Sequence, residues 1–306
     1  MSRLPPPPYV PAHDLLRGKN VLMTAAAGAG IGFSTAQRCA EEGARLFISD
    51  IHEKRVEEAA GKLEEISGQS VGRRLCNVTQ EEDVQALVAA AIESMGHVDV
   101  LINNAGLGGE APVVEMTDDQ WLGVIDVTLH SVFRMTRAIL PHMMERRFGR
   151  VVNLVSRAGL IGVPGTSAYA AGKGGVFGLT NVASRDLAPH GITVNAVNPA
   201  ATETRQVSTA IEQLEKAGED ERRRAEGLRA ALQPPEQVAA LITTLCHDAS
   251  ARFNGQVFYI EKGRVGLFHP LEVQREATTW DPWTVESLLE ATARLEPFSL
   301  GTVYGS

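Results

Sequence analysis

The sequence of 306 residues predicts an α/β fold in which a doubly wound parallel sheet of about seven strands carries helices on both faces. Short apolar runs such as residues 151–155 lack polar alternation, which is typical of parallel strands that are buried on both sides. Amphipathic helical stretches alternate with these runs along much of the chain. A glycine-rich turn joins the first run to the first helix, so that the helix begins directly after the strand.

The individual elements follow from local signals. Strands are expected at residues 20–24, 45–50, 71–78, 98–103, 151–155, 193–197 and 256–260. Helices are expected at residues 32–42, 53–66, 81–95, 117–147, 169–189 and 234–248. Gly43 and Gly96 close the first and third of these helices. Thr117 is the predicted N-cap of the longest helix, and Pro141 is expected to bend it.

Composition divides the chain into three parts. Residues 1–17 are rich in proline and are predicted to form an extended, partly mobile arm. Residues 18–260 are predicted to fold as a single domain. Residues 261–306 form a C-terminal extension, which contains Trp280, Trp283 and Phe298. Because of these large apolar side chains, we expect the extension to pack on the domain or on a neighbouring subunit.

Charge and composition exclude several classes of partner. The formal net charge of −8 argues against a nucleic-acid partner. No apolar run approaches the ~20 residues of a membrane span, so we expect no membrane association. Cys39, Cys76 and Cys246 have no metal or redox spacing, so we expect buried free thiols in a reducing cytoplasm. The eight histidines are scattered, and no metal site is expected.

The most informative stretch follows the strand at residues 151–155. Ser156 stands where this strand should end, which is where open α/β sheets bind their ligands. Ser156 precedes Tyr169 with twelve residues between them, and Lys173 follows four positions after Tyr169. Residues at i and i+4 share one helix face about 6 Å apart, so the Lys173 ammonium is expected beside the Tyr169 phenol. A chance pair on an ordinary amphipathic helix is the alternative.

This pair predicts acid/base chemistry. A free tyrosine titrates near ~10 and is a poor base at neutral pH. A neighbouring ammonium favours the phenolate and lowers the tyrosine pKa, by roughly two to three units, towards the pH at which a general acid/base works best. Ser156 is expected to donate a hydrogen bond to the alcohol or carbonyl oxygen of a small-molecule substrate, whose proton Tyr169 exchanges.

The turn after the first strand predicts a dinucleotide site. Residues 24–32 read TAAAGAGIG, and their glycines allow a tight turn and a close approach of the backbone to a pyrophosphate at the helix N-terminus. Asp50 ends the second strand, where a carboxylate accepts hydrogen bonds from the adenosine ribose and repels a 2′-phosphate. Asp50 therefore favours NAD over NADP, whereas the nearby Arg55 argues the other way. The alternative role for Asp50 is an N-cap of the next helix.

Together these motifs resemble the short-chain dehydrogenases/reductases of the ordinary single-domain branch, over roughly residues 16–260. The resemblance also includes the Asn-Asn-Ala-Gly motif at residues 103–106 and the Asn-Pro turn at residues 198–199. It implies a Rossmann fold, catalytic roles for Ser156, Tyr169 and Lys173, and a nicotinamide ribose held by Lys173. The cofactor residues expected from the motifs and the resemblance are Ala25, Gly28, Gly30, Ile31, Gly32, Asp50, Ile51, Asn77, Val78, Asn104, Ala105, Gly106, Tyr169, Lys173, Pro199, Ala200 and Thr202.

Several positions depart from the family pattern. The family turn begins Thr-Gly, whereas Ala25 follows the threonine here and the turn is one residue longer. In the family, a helix asparagine supports a proton relay to the catalytic lysine, and Thr128 stands at that position here. Thr128 is therefore a further catalytic candidate, although it can form hydrogen bonds without offering the amide of the family residue to the relay. Ala200 replaces a glycine after Pro199, and Asn77 replaces an aspartate that is usual near the adenine ring.

The resemblance also suggests a substrate class. The N-terminal half is similar to reductases of steroid-ring catabolism that act on acyl-CoA-linked compounds, and the C-terminal half to enzymes of 3-hydroxyacyl-CoA thioesters. The expected function is NAD-linked interconversion of a secondary alcohol and a ketone on a bulky, lipid-like substrate. Residues 203–230 are expected to be a mobile substrate lid. Its arginines at 222–224 would meet a CoA phosphate or simply form a solvated face.

Two other functions stay open. One is a broad-specificity carbonyl reductase that uses NADPH, and the other is an NAD-binding sensor or scaffold with little catalysis. Members of the family pair subunits through the helices that correspond to residues 117–147 and 169–189, so we expect a homodimer or homotetramer. The apolar candidates for that contact, or alternatively for the core, are Leu129, Val132, Phe133 and Phe177.

Overall fold

A single eight-stranded sheet organises the computed structural model, which describes residues 10–268, 273–279 and 282–295. In chain order the strands are β1 (Asn20–Met23), β2 (Arg45–Asp50), β3 (Gly72–Leu75), β4 (Val100–Asn103), β5 (Gly149–Leu154), β6 (Ile192–Pro199), β7 (Val257–Glu261) and β8 (Arg264–Leu267). Their order across the sheet is β3-β2-β1-β4-β5-β6-β7-β8. All neighbouring strands are parallel except β7 and β8, which are antiparallel. The predicted doubly wound parallel sheet is confirmed.

Helices cover both faces of this sheet. In chain order, the α-helices of the described residues are α1 (Ile31–Glu41), α2 (Glu53–Ser67), α3 (Glu81–Met95), α4 (Asp118–Ile125), α5 (Ser131–Arg146), α6 (Ala158–Ile161), α7 (Ser167–Leu187), α8 (Arg205–Lys216), α9 (Glu219–Ala231), α10 (Pro235–Cys246) and, in a separate C-terminal unit, α11 (Val285–Thr292). On β4, Ile102 belongs to the apolar cluster shared with α1, α2 and α10. Its neighbour Leu101 belongs to the cluster shared with α3, α5 and α7. Because both faces are buried, the central strands are apolar at successive positions.

The helix expected at residues 117–147 contains a π-helical turn. A π-helical turn, Asp126–His130, separates α4 from α5 and has the buried Thr128 at its centre. Pro141 lies inside α5, so the interruption occurs well before the proline that was expected to bend the helix. Such π-helical turns are rare and often mark functional sites. The long helix expected here is therefore present, with a π-helical turn at residues 126–130 that was not predicted.

The sheet differs from the expectation at both edges. β3 is shorter than the strand expected at residues 71–78, and Arg73 and Arg74 on it are exposed. Charged side chains are typical of an edge strand, where they discourage pairing with another chain. At the opposite edge, β8 extends the sheet beyond the domain boundary expected at residue 260. The unit that contains the sheet accordingly runs to Leu267.

The two ends of the chain differ in how much is described. In the expected arm, the backbone N–H groups of His13 and Leu15 donate to Glu42 Oε2 at 2.9 and 3.3 Å, and Leu16 is fully buried. Residues 1–9 lie outside the described residues. Phe268–Ser306 forms a second unit, in which α11 is described and Trp283 is exposed. Trp280 and Phe298 lie outside the described residues, so the packing of the extension stays a prediction.

Candidate active site

The carboxyl ends of the central parallel strands meet at one edge of the sheet, and most of the predicted site residues lie there. Ala25 follows β1, Asn104 follows β4 and Ser156 follows β5, while Pro199 ends β6. In an open α/β sheet this edge is where ligands bind. The topology alone therefore brings the glycine turn, the Asn-Asn-Ala-Gly motif and the Ser-Tyr-Lys stretch to one cleft.

Lys173 lies buried at the bottom of this cleft. Its Nζ donates a hydrogen bond to the carbonyl oxygen of Leu154, the last residue of β5, at 2.7 Å. A Cβ atom added to Gly106 would lie 3.4 Å from the same Nζ, so the loop after β4 contacts the lysine too. Burial lowers the pKa of the Lys173 ammonium to about 8. At neutral pH most molecules still carry the charge that the chemistry requires.

Tyr169 lies beside this ammonium. Lys173 Nζ is 5.8 Å from the centre of the Tyr169 ring, because the two residues occupy the same face of α7. Lys173 is buried, whereas Tyr169 is only half-buried. The arrangement places a charge beneath the sheet edge and a phenol between that charge and solvent. It is the arrangement that the spacing of the two residues predicts.

Ser156 is held against the same helix. Its Oγ accepts a hydrogen bond from the Ala158 N–H at 3.2 Å, and its carbonyl oxygen accepts one from the Gly159 N–H at 3.0 Å. These contacts begin the short helix α6, which packs closely on α7. A Cβ atom on Gly159 would lie 2.4 Å from Gly174 N, so only glycine allows this approach. The serine is therefore fixed beside the helix that carries Tyr169 and Lys173.

Thr128 supports the site through the backbone. Its hydroxyl donates to the carbonyl oxygen of Leu107 at 3.1 Å and accepts from the Leu107 N–H at 3.3 Å. Its methyl group lies 3.0 Å from the place that a Cβ on Gly172 would take. Thr128 thus joins the loop after β4 to α7, next to Lys173. Its hydroxyl is engaged with Leu107, which makes it a positioning residue in this geometry.

The glycine turn is shaped for close approach by a ligand. Gly28 and Gly30 have φ angles of 110° and 130°, which favour glycine. A Cβ atom on Gly32 would lie 2.3 Å from the carbonyl oxygen of Ala25. Ala25 itself has a φ of 51°, a left-handed conformation in which the family has glycine. The absence of side chains leaves a cradle beside the N-terminus of α1, which fits the phosphates of a dinucleotide.

Asn104 holds this turn against β4. Its Nδ2 donates to the carbonyl oxygens of Thr24 and Ala25, at 3.2 and 2.9 Å. The Thr24 hydroxyl in turn accepts from the N–H groups of Asn104 and Ala105, at 3.1 and 3.2 Å. Four hydrogen bonds therefore join the first and fourth strands where the cofactor is expected, so the role of Asn104 here is to brace the turn.

Asp50 is positioned at the end of β2 as expected for a ribose-binding carboxylate. Its Oδ1 accepts from the His52 N–H at 3.0 Å and from Arg55 Nη2 at 3.3 Å. Burial raises the pKa of Asp50, and the Arg55 guanidinium opposes that effect. The N-cap of α2 is His52, not Asp50. Ile51, which follows, is exposed at this edge of the sheet.

Asn77 and Val78 follow β3 at the same edge and are half-buried. The side-chain oxygen of Asn77 accepts from the Thr79 N–H at 3.1 Å, and the Asn77 N–H donates to Asp83 Oδ2 at 2.9 Å. Asn77 therefore shapes the loop that enters α3. The structure places it along the edge that begins with Asp50, because β2 and β3 are neighbours.

The region after β6 differs in detail from the expectation. The Ala200 N–H donates to the carbonyl oxygen of Ile260, at 2.9 Å. The Thr202 side chain is buried, donates to the Ala200 carbonyl and accepts from Gln233 Nε2, at 2.8 and 3.2 Å. Thr204 instead reaches the glycine turn, with its methyl 3.2 Å from the place of a Cβ on Gly30. Thr204 is thus a site residue that sequence reasoning missed.

Two neighbours of Thr204 also contact the cleft and were not predicted. Arg205 Nη2 lies 3.4 Å from the place of a Cβ on Gly28. Gln206 Nε2 lies against Gly108 in the loop after β4. All three residues lie at the start of the expected lid, where Val207, Ile211 and Leu214 recur at helical spacing but no local signal indicates a contact with the glycine turn. Only the fold brings residues near 205 to residues near 28.

Two negative findings apply to the described ranges alone. No helix among these residues is long and apolar enough to cross a membrane. Within the same ranges, no three His, Cys, Asp or Glu side chains group in a way that could hold a metal ion.

Comparisons with known proteins identify the family of this chain. A family model described as "short chain dehydrogenase" matches residues 19–215. A (5R,7aS)-5-hydroxy-7a-methyl-1-oxo-2,3,5,6,7,7a-hexahydro-1H-indene-carboxyl-CoA reductase of Mycobacterium tuberculosis is 41% identical over 83% of this chain and 96% of that protein. A 3-oxoacyl-[acyl-carrier-protein] reductase of Thermotoga maritima is 38% identical over 82% of this chain and 99% of the relative.

Solved structures give the same result. A short chain dehydrogenase from Mycobacterium smegmatis has a TM-score of 0.71 and 39% identity, covering 84% of this chain and 98% of its own. An NAD⁺-bound xylitol dehydrogenase has a TM-score of 0.75 and 30% identity, over 81% of this chain and 99% of its own. The chain belongs to the short-chain dehydrogenase/reductase family and is an oxidoreductase of that type.

Proposed function

We propose that this protein is an NAD-dependent alcohol dehydrogenase or ketoreductase that acts on a bulky CoA-thioester or steroid-type substrate. The observation that carries the proposal is the buried Lys173 ammonium, 5.8 Å from the Tyr169 ring at the carboxyl end of β5. A buried charge is costly, and this one faces a backbone carbonyl and a phenol instead of a carboxylate. Such a charge is best explained by its effect on the neighbouring phenol.

Four side chains have separate roles in the proposed reaction. Ser156 donates a hydrogen bond to the substrate oxygen and fixes its position. Tyr169 gives a proton to that oxygen during reduction or takes one during oxidation. Lys173 favours the phenolate form of Tyr169 through its charge, and Thr128 keeps the loop after β4 in contact with α7. A bound nicotinamide dinucleotide supplies or accepts the hydride at the substrate carbon.

The position of Asp50 supports NAD as the cofactor. A carboxylate at the end of β2 accepts hydrogen bonds from ribose hydroxyls and repels a 2′-phosphate. The residues proposed to hold the dinucleotide are those of the glycine turn, Asp50, Asn77, the loop after β4, and Lys173. Thr204 is added to this set because it contacts the turn in the structure.

The relatives support the substrate class. One relative is named as a reductase of a hydroxy-methyl-oxo-hexahydroindene carboxyl-CoA, and another as a 3-oxoacyl-[acyl-carrier-protein] reductase. Both names describe an acyl thioester whose carbonyl or carbinol lies on a bulky or extended group. The lid formed by α8 and α9 is the proposed substrate cover, and lipid metabolism is the proposed setting. The three free cysteines support a reducing compartment such as the cytoplasm.

A substrate screen tests the proposal. Purified full-length protein is assayed with NADH or NAD against 3-oxoacyl-CoA and 3-hydroxyacyl-CoA thioesters, bicyclic keto-acid CoA thioesters and steroid alcohols, by the absorbance of the reduced cofactor. We expect the highest kcat/KM with a CoA thioester. The free acid that hydrolysis of this thioester produces should have a lower kcat/KM. Tight NADH binding without turnover of any compound would favour the sensor alternative.

One observation favours NADPH as a competing cofactor. Arg55 forms an ion pair with Asp50 at 3.3 Å, and this pair reduces the repulsion that Asp50 exerts on a 2′-phosphate. A broad NADPH carbonyl reductase is therefore the second candidate. We expect kcat/KM to be higher with NADH than with NADPH in the same reaction. A preference for NADPH would replace the first candidate by the second.

We also propose that the protein is a homodimer or homotetramer. Phe133 on α5 and Val182 on α7 are exposed on helices that carry the family contact, whereas Val132 is buried in the core. Light scattering of the purified protein would give two or four subunits. A monomer at micromolar concentration would contradict this assembly.

A further inference from the structure

The lid begins directly on the glycine turn. Thr204 caps α8, since its hydroxyl accepts a hydrogen bond from the Val207 N–H at 3.2 Å, and Arg205 is the first residue of the helix. Arg205 Nη2 lies 3.4 Å from the place of a Cβ on Gly28, while the Thr204 methyl lies 3.2 Å from that on Gly30. The guanidinium therefore lies over the turn, and the N-cap fixes the helix that presents it.

Arg205 has no anionic partner among the residues that the structure describes. Two other lid arginines are paired with carboxylates, Arg223 with Glu219 at 2.9 Å and Arg229 with Glu215 at 2.6 Å. No hydrogen bond or ion pair of Arg205 is found within the described ranges, and its side chain is exposed. The charge of Arg205 acts to lower the pKa of Asp50, but the Asp50 carboxylate forms its ion pair with Arg55.

The chemistry of this place is that of a phosphate site. The turn and the N-terminus of α1 present backbone N–H groups and a positive dipole end, and two of the glycines leave room for an approaching ligand. A guanidinium offers a planar set of donors that matches two phosphate oxygens at once. An unpaired guanidinium above such a turn completes an anion site from the opposite side.

We propose that Arg205 binds a phosphate of the dinucleotide, so that the substrate lid also holds the cofactor. This inference rests on the proposed function, because it requires that a nicotinamide dinucleotide occupies the cleft. The phosphate is either the pyrophosphate, which both dinucleotides share, or the 2′-phosphate that only NADPH carries. The contact has the same chemistry in both cases, and the two sources separate in a binding experiment.

The experiment measures the Kd of NADH and of NADPH, without substrate, by the fluorescence of the reduced nicotinamide. The wild-type protein is compared with Arg205→Ala and with Arg223→Ala, a control that removes a lid arginine whose partner is Glu219. We expect Arg205→Ala to raise the Kd of both dinucleotides about tenfold and Arg223→Ala to change neither. A loss confined to NADPH would support the same contact and assign it to the 2′-phosphate.

Two results would overturn the inference. One is Arg205→Ala binding both dinucleotides as tightly as the wild-type protein does. The other is an equal loss in Arg223→Ala, which would indicate a general effect of lid charge. Both are distinct from a failure of the proposed function, which appears as a wild-type protein that binds NADH and turns over no substrate. Thermal unfolding of each variant verifies that the exposed substitution leaves the fold intact.

Discussion

The sheet edge that carries the proposed catalytic residues and the proposed lid, α8 and α9, are held in different ways. At the sheet edge, partly buried hydrogen bonds join the segments that follow separate strands, as in the brace between Asn104 and the residues that follow β1. The apolar clusters on both faces of the sheet include most of the central strand residues. These contacts are long-range in sequence and leave little freedom at the site.

The lid is held in place by a much smaller set of buried apolar residues. Ile211, Ala225 and Leu232 are the buried apolar residues of its cluster, with a few half-buried neighbours. Most of its other residues are exposed, many of them are charged, and several of its ion pairs are at the surface. Exposed ion pairs contribute little to stability. The comparison teaches that the proposed catalytic residues lie on a tightly held edge, whereas the proposed substrate lid is an element that can open at a small free-energy cost.

The largest predicted difference comes from one pair of matched substitutions. Ile102 on β4 and Ile211 on α8 are both buried isoleucines. We expect Ile102→Ala to lower the free energy of unfolding by about 3–4 kcal/mol, because it leaves a cavity in the central cluster. We expect Ile211→Ala to lower it by only about 1 kcal/mol and to raise KM for substrate, because the lid opens locally.

Denaturant unfolding and initial rates measure both effects. Equal losses of stability in the two variants, with KM unchanged in Ile211→Ala, would mean that the lid and the sheet form one cooperative unit. The distinction between the two regions would then be wrong.

Lys173→Met tests the cost of the buried charge. Burial lowers the lysine pKa from 10.5 to about 8, so the folded state binds this proton less tightly than the unfolded state does. Replacement by a neutral side chain of similar length should therefore raise the free energy of unfolding at pH 7, by about 2–3 kcal/mol, and reduce turnover strongly. Stability and activity would change in opposite directions.

The pH dependence has a definite sign. Between pH 8 and 10.5 the unfolded lysine keeps its proton while the folded lysine loses it, so the stability of the wild-type protein rises relative to that of Lys173→Met. The difference between the two proteins should be largest below pH 8 and should vanish near pH 10.5. Lys62→Met, at an exposed lysine of α2, is the control and should show no such trend. A constant difference across this range would contradict the assignment.

A smaller effect is predicted at Ala25. Its φ of 51° destabilises the folded state by about 1–2 kcal/mol when the residue is alanine. Glycine avoids this cost but loses more conformational entropy on folding, which destabilises the protein by about 0.5–1 kcal/mol. Ala25→Gly should therefore raise the free energy of unfolding by about 0.5 kcal/mol in a thermal scan. The neighbouring Ala26 is buried and has no such φ, so Ala26→Gly should be destabilising. Stabilisation by both substitutions would remove the strain argument.

The sequence predicted the sheet and the proximity of Lys173 to Tyr169, for a physical reason. Buried parallel strands need apolar runs, and the spacing of Tyr169 and Lys173 on a helix determines their shared face, so both are local signals. The final hairpin was missed because its turn, Lys262-Gly263, lacks the usual Asn-Gly or Asp-Gly pair. Both residues have positive φ, at 41° and 84°, as the tight hairpin turn between β7 and β8 requires.

Other features could not be predicted from local patterns. The π-helical turn around Thr128 adds a residue to a helix whose sequence shows no proline or glycine at that place. The proximity of Arg205 to Gly28 joins residues that are far apart in the chain, and the apolar period of Val207, Ile211 and Leu214 predicts a helix but not where that helix packs. Such contacts depend on how the lid closes over the turn, which the fold as a whole determines.

The most direct measurement concerns the phenol of Tyr169. Turnover and NADH affinity are determined in the same preparations of the wild-type protein, Tyr169→Phe and the control Tyr259→Phe, using the best compound of the substrate screen. We predict that Tyr169→Phe loses about a thousandfold in kcat while its Kd for NADH stays within about twofold, and that Tyr259→Phe keeps most of its activity. A Tyr169→Phe variant with wild-type turnover would contradict the central role of this phenol.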